Sequence, residues 1–322
     1  MRCLITGVAG FMGSHLAERL LADGHEVYGI DNFTTDYVRQ VKEKNLLIPR
    51  DWANFHFNDA DLLTEPLEPF LEGCDWVFHM AGRANVRGGW GKTFTRYVDC
   101  NVVATQRLLD AVLQAGKVQR FVFASAGAVY GNLPVQPLFE SLAPAPTTPY
   151  GTTKLAAEQL CSLYHRVFGV PTVSLRYFTV YGPRQRPDMA ISRFCRALLK
   201  GRPIQIYGDG LQRRDFTYIS DAVEASILAA NNKAAIGEIL NIAGNSCVTV
   251  NCVIQLLEEI SGIPTSRVFT ESRSGEVQQS LADISRAEHI LGYRPCVSLY
   301  EGLANEFMAL DSAYRHLHIS VA

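Results

Sequence analysis

Short apolar runs alternate with amphipathic stretches through the first half of the chain. Arg2-Cys3-Leu4-Ile5-Thr6 and Glu26-Val27-Tyr28-Gly29-Ile30 read as strands, the second ending at Asp31. Residues 54–57, 75–80, 120–124 and 171–176 read the same way. Short runs rich in β-branched and aromatic residues, bounded by turn signals, suit buried strands. Between them, residues 14–21 repeat apolar positions at spacings of three and four, the mark of a helix face. A long helix is expected over 97–115, and another after Thr148, which can cap it with Pro149 in its first turn. This alternation predicts an α/β fold, a doubly wound, Rossmann-like parallel sheet with helices on both faces. Functional residues are then expected at the C-terminal ends of the strands.

Past Val180 the alternation lapses into turn-rich sequence such as Tyr181-Gly182-Pro183 and Tyr207-Gly208-Asp209-Gly210. Helices are expected over 191–200, 221–231, 250–262 and 284–291. The division this suggests is a dinucleotide-binding domain over 1–180 and a smaller C-terminal α/β substrate lobe over 181–322. The boundary is soft, with some segments exchanging between the lobes.

Composition narrows the function classes. The 322 residues carry 30 basic and 32 acidic side chains, a net charge of -2. No basic run points to nucleic acid or an anionic membrane. No apolar run approaches the ~20 residues of a membrane span, and Met1-Arg2-Cys3 opens a strand, not a signal peptide. The eight cysteines are scattered without C-x-x-C or His-rich spacing. Cys3, Cys100 and Cys161 sit in apolar patterns and read as buried thiols of a reducing cytosol, and no zinc or other metal site is expected.

The glycine run Gly7-Val8-Ala9-Gly10-Phe11-Met12-Gly13 stands between the first strand and the first helix. In that context backbone N–H groups at a helix N-terminus can receive a pyrophosphate. Asp31 ends the second strand, where a carboxylate accepts hydrogen bonds from adenosine ribose hydroxyls and repels a 2′-phosphate. Asn32 and Phe33 supply no arginine, so NAD is favoured over NADP. Asp61 follows the third strand and can either meet the adenine amine or cap the next segment.

Tyr150 and Lys154 are four apart on one helix face. A neighbouring ammonium and a cationic nicotinamide both favour the phenolate. A Tyr so tuned can take a proton from a sugar hydroxyl while hydride leaves for the nicotinamide.

With these residues placed, the chain resembles the extended short-chain dehydrogenase/reductases, in their nucleotide-sugar branch. The marks include G-x-x-G-x-x-G, His79-Met80-Ala81-Gly82, Asn101, Val129-Tyr130-Gly131, Tyr150/Lys154 and Arg214-Asp215-Phe216-Thr217-Tyr218. The string from Arg176 to Ala190 is similar to UDP-glucuronate 4-epimerases, with Thr179 where relatives acting on neutral sugars often carry Asn. The resemblance implies cofactor contacts from Gly7, Gly10, Phe11, Met12, Gly13, Asp31, Asn32, Asp61, Leu62, Met80, Ala81, Gly82, Asn101, Tyr150 and Lys154. For a UDP-sugar it implies Arg214 and Arg273 at the diphosphate and Glu276 at the ribose. Thr179, Arg87 and Arg184 are candidates for a sugar carboxylate. A homodimer built on the 97–115 and 150–168 helices is a further implication.

One position departs from the pattern. Ala126 stands where the family places a Thr or Ser that bonds the reacting 4-hydroxyl, and Gly127 and Ala128 follow without hydroxyls. Ser125 is adjacent, but one step along a strand points to the opposite face. Sugar-nucleotide dehydratases carry an Asp-Glu pair here, and the decarboxylases often a Glu; Gly127 and Ala128 transfer no proton. The leading expectation is therefore an NAD-dependent UDP-sugar 4-epimerase. A UDP-glucuronate decarboxylase, another UDP-sugar epimerase, or a non-catalytic NAD- or nucleotide-sugar-binding protein are the alternatives.

Overall fold

The computed structural model describes residues 1–34, 37–86, 88–272 and 277–319. Seven strands form one sheet. Across it the order is Ile239–Ile242, Thr172–Tyr177, Arg120–Ala126, Trp76–His79, Arg2–Thr6, Glu26–Asp31 and Phe55–Asp59. Every neighbouring pair is parallel. The strand order reverses between the first and fourth strands, which opens a crevice at their C-terminal ends.

Strand alternation sorts the core into two layers. Cys3, Ile5, Phe78 and Val122 face one side and pack with Leu16, Leu20, Ala222 and Ala225 of the Phe11–Ala22 and Ile219–Asn231 helices. Leu4, Val77, Phe121 and Phe123 face the other, against Leu108, Leu109, Ala157 and Cys161 of the Ala104–Ala115 and Pro149–Phe168 helices. Both faces of each central strand are therefore buried, as the near-continuous apolar runs require.

The six expected strands and the expected helices are present, with ends shifted by a few residues. The 97–115 helix is interrupted: Phe94–Val98 and Ala104–Ala115 are α-helical, and Asp99–Val103 between them is a π turn. Several shorter strands and helices were not expected, and two further unexpected elements shape the crevice. Ile239–Ile242 joins the sheet beside the sixth strand, although it lies well past Val180. The long helix Leu299–Ile319 packs Leu303 and Phe307 into a third core with Ile191, Cys195, Ile204, Ile206 and Leu257. That core supports the far wall of the crevice.

Candidate active site

The crevice is a cleft of about 700 Å³ running from the glycine loop to the third core. Gly7, Gly10, Phe11, Met12 and Gly13 all line it. Gly7 has φ +71°, and a Cβ there would lie 2.8 Å from the Ala81 backbone. A Cβ on Gly13 would lie 2.3 Å from the Gly7 carbonyl oxygen. The loop is thus pressed against both its own helix and the end of the fourth strand, which only glycine permits. Thr6 reinforces this: its hydroxyl accepts the Ala81 N–H at 3.2 Å. Met80, Ala81 and Gly82 line the cleft beside the loop.

At the next strand end, Asp31 is held by three donors. The Ala9 N–H reaches Oδ2 at 3.1 Å, the Phe33 N–H reaches Oδ1 at 2.8 Å, and Lys42 Nζ reaches Oδ1 at 2.8 Å. Asn32 donates to Asp61 Oδ2 at 3.0 Å, and the Leu63 N–H donates to Oδ1 at 2.8 Å. Asp61 therefore caps a turn, not a helix, and still lines the cleft with Asn32 and Leu62. Lys42 carries no motif and was invisible in the sequence.

Asn101 is buried in the π turn and does not line the cleft. Its Oδ1 accepts the Arg83 N–H at 2.8 Å, and its Nδ2 donates to Thr153 Oγ1 at 2.9 Å. It ties the 81–83 segment to the helix that carries Tyr150 and Lys154.

That helix begins as the sequence predicts. Thr148 caps it, accepting the Gly151 N–H at 3.1 Å, and Pro149 occupies the first turn. Tyr150 and Lys154 face the cleft together. A Cβ on Gly151 would lie 2.5 Å from the Ala128 carbonyl oxygen, so the helix start abuts the 126–128 segment. Burial pushes the Tyr150 phenol up to about 12, opposed by the nearby Arg186 cation. Burial likewise pulls the Lys154 ammonium down to about 8. The expectation that Lys154 depresses Tyr150 is thus not met by the protein alone. Desolvation dominates at Tyr150, and the cation that opposes it is Arg186. Arg186 lines the cleft and pairs with Asp188 at 2.7 Å.

Ser125 and Ala126 divide as strand geometry requires. The Ser125 hydroxyl turns away and donates to Glu158 Oε2 at 2.6 Å. Glu158 is also forked by Arg176 at 2.6 and 3.0 Å, and Arg176 donates to the Tyr130 hydroxyl at 2.8 Å. This buried network braces the fifth strand, the Tyr150 helix and the sixth strand. Ala126 faces the cleft with Gly127 and Ala128. Their wall offers no side-chain hydroxyl.

The candidates for the sugar nucleotide separate. Thr179 and Arg214 line the cleft. Arg184 does not: it has φ +67° and its guanidinium forks onto Glu18 of the first helix at 2.5 and 2.9 Å. Those bonds occupy the groups that would meet a carboxylate. Arg87, Arg273 and Glu276 lie outside the described residues. No group of side chains suited to a metal ion occurs among the described residues.

Residues 3–243 match the profile of the NAD dependent epimerase/dehydratase family. A Bacillus subtilis relative, described as an uncharacterized UDP-glucose epimerase, is 45% identical over 98% of this chain and 99% of its own. A UDP-glucuronate 4-epimerase of Thermodesulfobacterium geofontis is 38% identical over 93% of each chain. The UDP-glucuronic acid 4-epimerase of Bacillus cereus, solved in complex with UDP-glucuronic acid and NAD, superposes with a TM-score of 0.95. It is 42% identical, with 98% of this chain and 100% of that one covered.

Proposed function

Because the chain belongs to the NAD dependent epimerase/dehydratase family, we propose that it interconverts UDP-glucuronate and UDP-galacturonate by transient oxidation at C4. The observation that carries this is the convergence of Tyr150 and Lys154 with the glycine loop in one cleft. The close approach of Gly7 and Gly13 leaves a backbone cradle suited to a pyrophosphate, and Asp31 suits a ribose, so the residues fit NAD. Bound there, the dinucleotide would supply a reversible hydride acceptor for C4. Tyr150 removes the 4-hydroxyl proton and later returns it. Lys154 holds the nicotinamide ribose and adds positive charge beside the phenolate. Thr179 and Arg214 face the sugar nucleotide from the far wall. Gly127 and Ala128 supply no acid for elimination or decarboxylation.

Residues 1–180 would then hold the dinucleotide and 181–322 the nucleotide sugar. The protein would work as a homodimer in the cytoplasm. Val103 of the π turn, Leu113 of the Ala104–Ala115 helix, and Leu163, Val167 and Phe168 of the Pro149–Phe168 helix are 37–60% exposed apolar side chains. Pairing these helices between copies would cover them. Light scattering should give twice the chain mass of 35.6 kDa; a monomer at micromolar concentration would remove the dimer. Cell fractionation checks the compartment, and all eight cysteines are free thiols, as a reducing setting requires.

Incubation with NAD and UDP-glucuronate, followed by separation of products, tests the reaction. UDP-galacturonate is the expected product. A UDP-pentose would make the protein a decarboxylase, and tight binding without turnover would make it a non-catalytic binder.

A further inference from the structure

Behind the far wall of the cleft lies a buried carboxyl that the proposed reaction does not use. Glu306 sits on the Leu299–Ile319 helix between Leu303 and Phe307 of the third core and is only 1% exposed. Its Oε2 accepts the Gly182 N–H at 2.8 Å, and its Oε1 has no hydrogen-bond partner. Gly182 ties this carboxyl to the cleft. It follows the Val180–Tyr181 strand with φ +135°, and its carbonyl accepts the Gln185 N–H at 3.0 Å. The Gln185 side chain then spans the turn. Its Nε2 donates to the Val180 carbonyl at 3.1 Å, and its Oε1 accepts the Ser192 N–H at 3.0 Å. Thr179, Val180 and Arg186, at the two ends of this turn, all line the cleft.

The surroundings favour the neutral acid. Burial pushes the Glu306 carboxyl up to about 8, opposed by the Gly182 N–H and by Arg196. Arg196 and Cys195 face it from the Ala190–Leu199 helix, Tyr181 from its strand, and Tyr218 from the Thr217–Tyr218 strand. Burial pushes the Cys195 thiol and both phenols up, so these three stay neutral where Glu306 titrates. Tyr181 donates to the Ser298 and Leu299 carbonyls at 3.4 Å, and the Tyr218 hydroxyl accepts Asn305 Nδ2 at 3.3 Å. The Val250–Ser261 helix presents Val253, Ile254 and Leu257 to the same core. In the neutral acid Oε2 is the carbonyl oxygen that takes the Gly182 N–H, and Oε1 carries the proton. Loss of that proton leaves a buried charge with a single donor, which costs far more than a neutral orphan.

We propose that Glu306 is a positioning residue: as the neutral acid it holds the 179–186 turn in the arrangement that binds the sugar nucleotide, and on ionising it releases that turn. What enters the cleft rests on the UDP-glucuronate reading above; the anchoring of Gly182 does not. The ionised carboxyl regains solvation only by drawing water or Arg196 toward it, and either movement pulls on Gly182. Gln185 carries that displacement to Val180 and to the start of the Ala190–Leu199 helix, so Thr179 and Arg186 lose their fixed places together. Sugar-nucleotide affinity then falls as pH rises through the titration of Glu306.

The test is calorimetric titration of UDP-glucuronate into the NAD-loaded wild type and Glu306→Gln at about pH 7 and about pH 9, with hydrogen exchange of the Gly182 amide in both. Gln keeps the shape and a carbonyl for Gly182 but cannot ionise. The two proteins should bind within about twofold of each other at the lower pH. One unit above the Glu306 titration about a tenth of the wild type is competent, so its Kd relative to the variant should rise about tenfold. Exchange of the Gly182 amide, relative to the variant, should quicken about as much. Lys154 titrates in the same range, but in both proteins, and so cancels from the ratio. If Glu306→Gln does not fold, Glu306→Met replaces it: weaker at both pH values, with the same tenfold change in the ratio. A ratio of affinities that does not move with pH would overturn the proposal and leave Glu306 a structural role only. A wild type that binds no UDP-glucuronate at either pH would overturn the substrate reading instead. The exchange ratio then decides on Glu306: a rise of about tenfold upholds the release of the turn, and a constant ratio overturns it.

Discussion

Tyr150→Phe should lower kcat by about 10³-fold, within the range that a positioned acid–base group supplies, while NAD binding stays within a few-fold of wild type. The change removes one oxygen and keeps the ring. Among the described residues no hydrogen bond holds that hydroxyl in the fold, so its loss should cost little stability. What is lost is the acceptor for the 4-hydroxyl proton. Burial makes the charged form of this Tyr costly, and Arg186 only partly offsets it. Positive charge arriving with the cofactor is therefore needed to bring the phenol into a working range. Because only the phenolate accepts a proton, turnover in the wild type should climb with pH. Turnover assays across pH, with dinucleotide occupancy read on the same samples, check both statements. Near-normal activity in Tyr150→Phe would remove this residue from the mechanism.

Ala126→Thr should raise kcat on UDP-glucuronate by about 10²-fold, the lower end of what a preorganised donor contributes at a reacting centre. The structure sharpens the case. Ser125, the nearest hydroxyl on the strand, is engaged by Glu158 at 2.6 Å. Ala126 sits on the cleft face, opposite Tyr177 of the sixth strand. A β-branched residue suits a strand, so Thr should be tolerated there. Ala126→Ser serves as the smaller control. If an ordered water already fills the gap, the new hydroxyl displaces it and gains little. An unchanged or lower kcat at equal occupancy and stability would mean that this site uses another proton path or another sugar.

Periodicity made the sheet legible. Each of the six strands is a short apolar run that ends near a functional residue, and the glycine loop names the first crossing from strand to helix. Ile239–Ile242 escaped because it is four residues long with Asn241 in its middle. Only pairing with the sixth strand, 60 and more residues away, makes it a strand. Asn241 is buried because it accepts from the Tyr130 hydroxyl at 2.8 Å, a long-range contact that carries no local signature. The site shows the same limit. Gly7, Asp31, Tyr150 and Lys154 are tied to positions on regular elements, so spacing finds them. Arg184 and Arg186 are two residues apart in an irregular segment. The left-handed turn at Arg184 sends one to the first helix and the other to the cleft, and no pattern in the string tells them apart. Lys42 depends likewise on how the Arg39–Asn45 helix folds back over Asp31.

The late seventh strand also bears on synthesis. The sixth strand ends at Tyr177 and its outer neighbour ends at Ile242, about 65 residues later. At ~5–20 residues per second a ribosome takes roughly 3–13 s to make that stretch. Throughout that interval the nascent sheet has an open edge whose backbone groups invite pairing with another chain. A sheet finished so late favours chaperone cover during translation. It also makes a fragment ending near Val180 a poor candidate for separate expression.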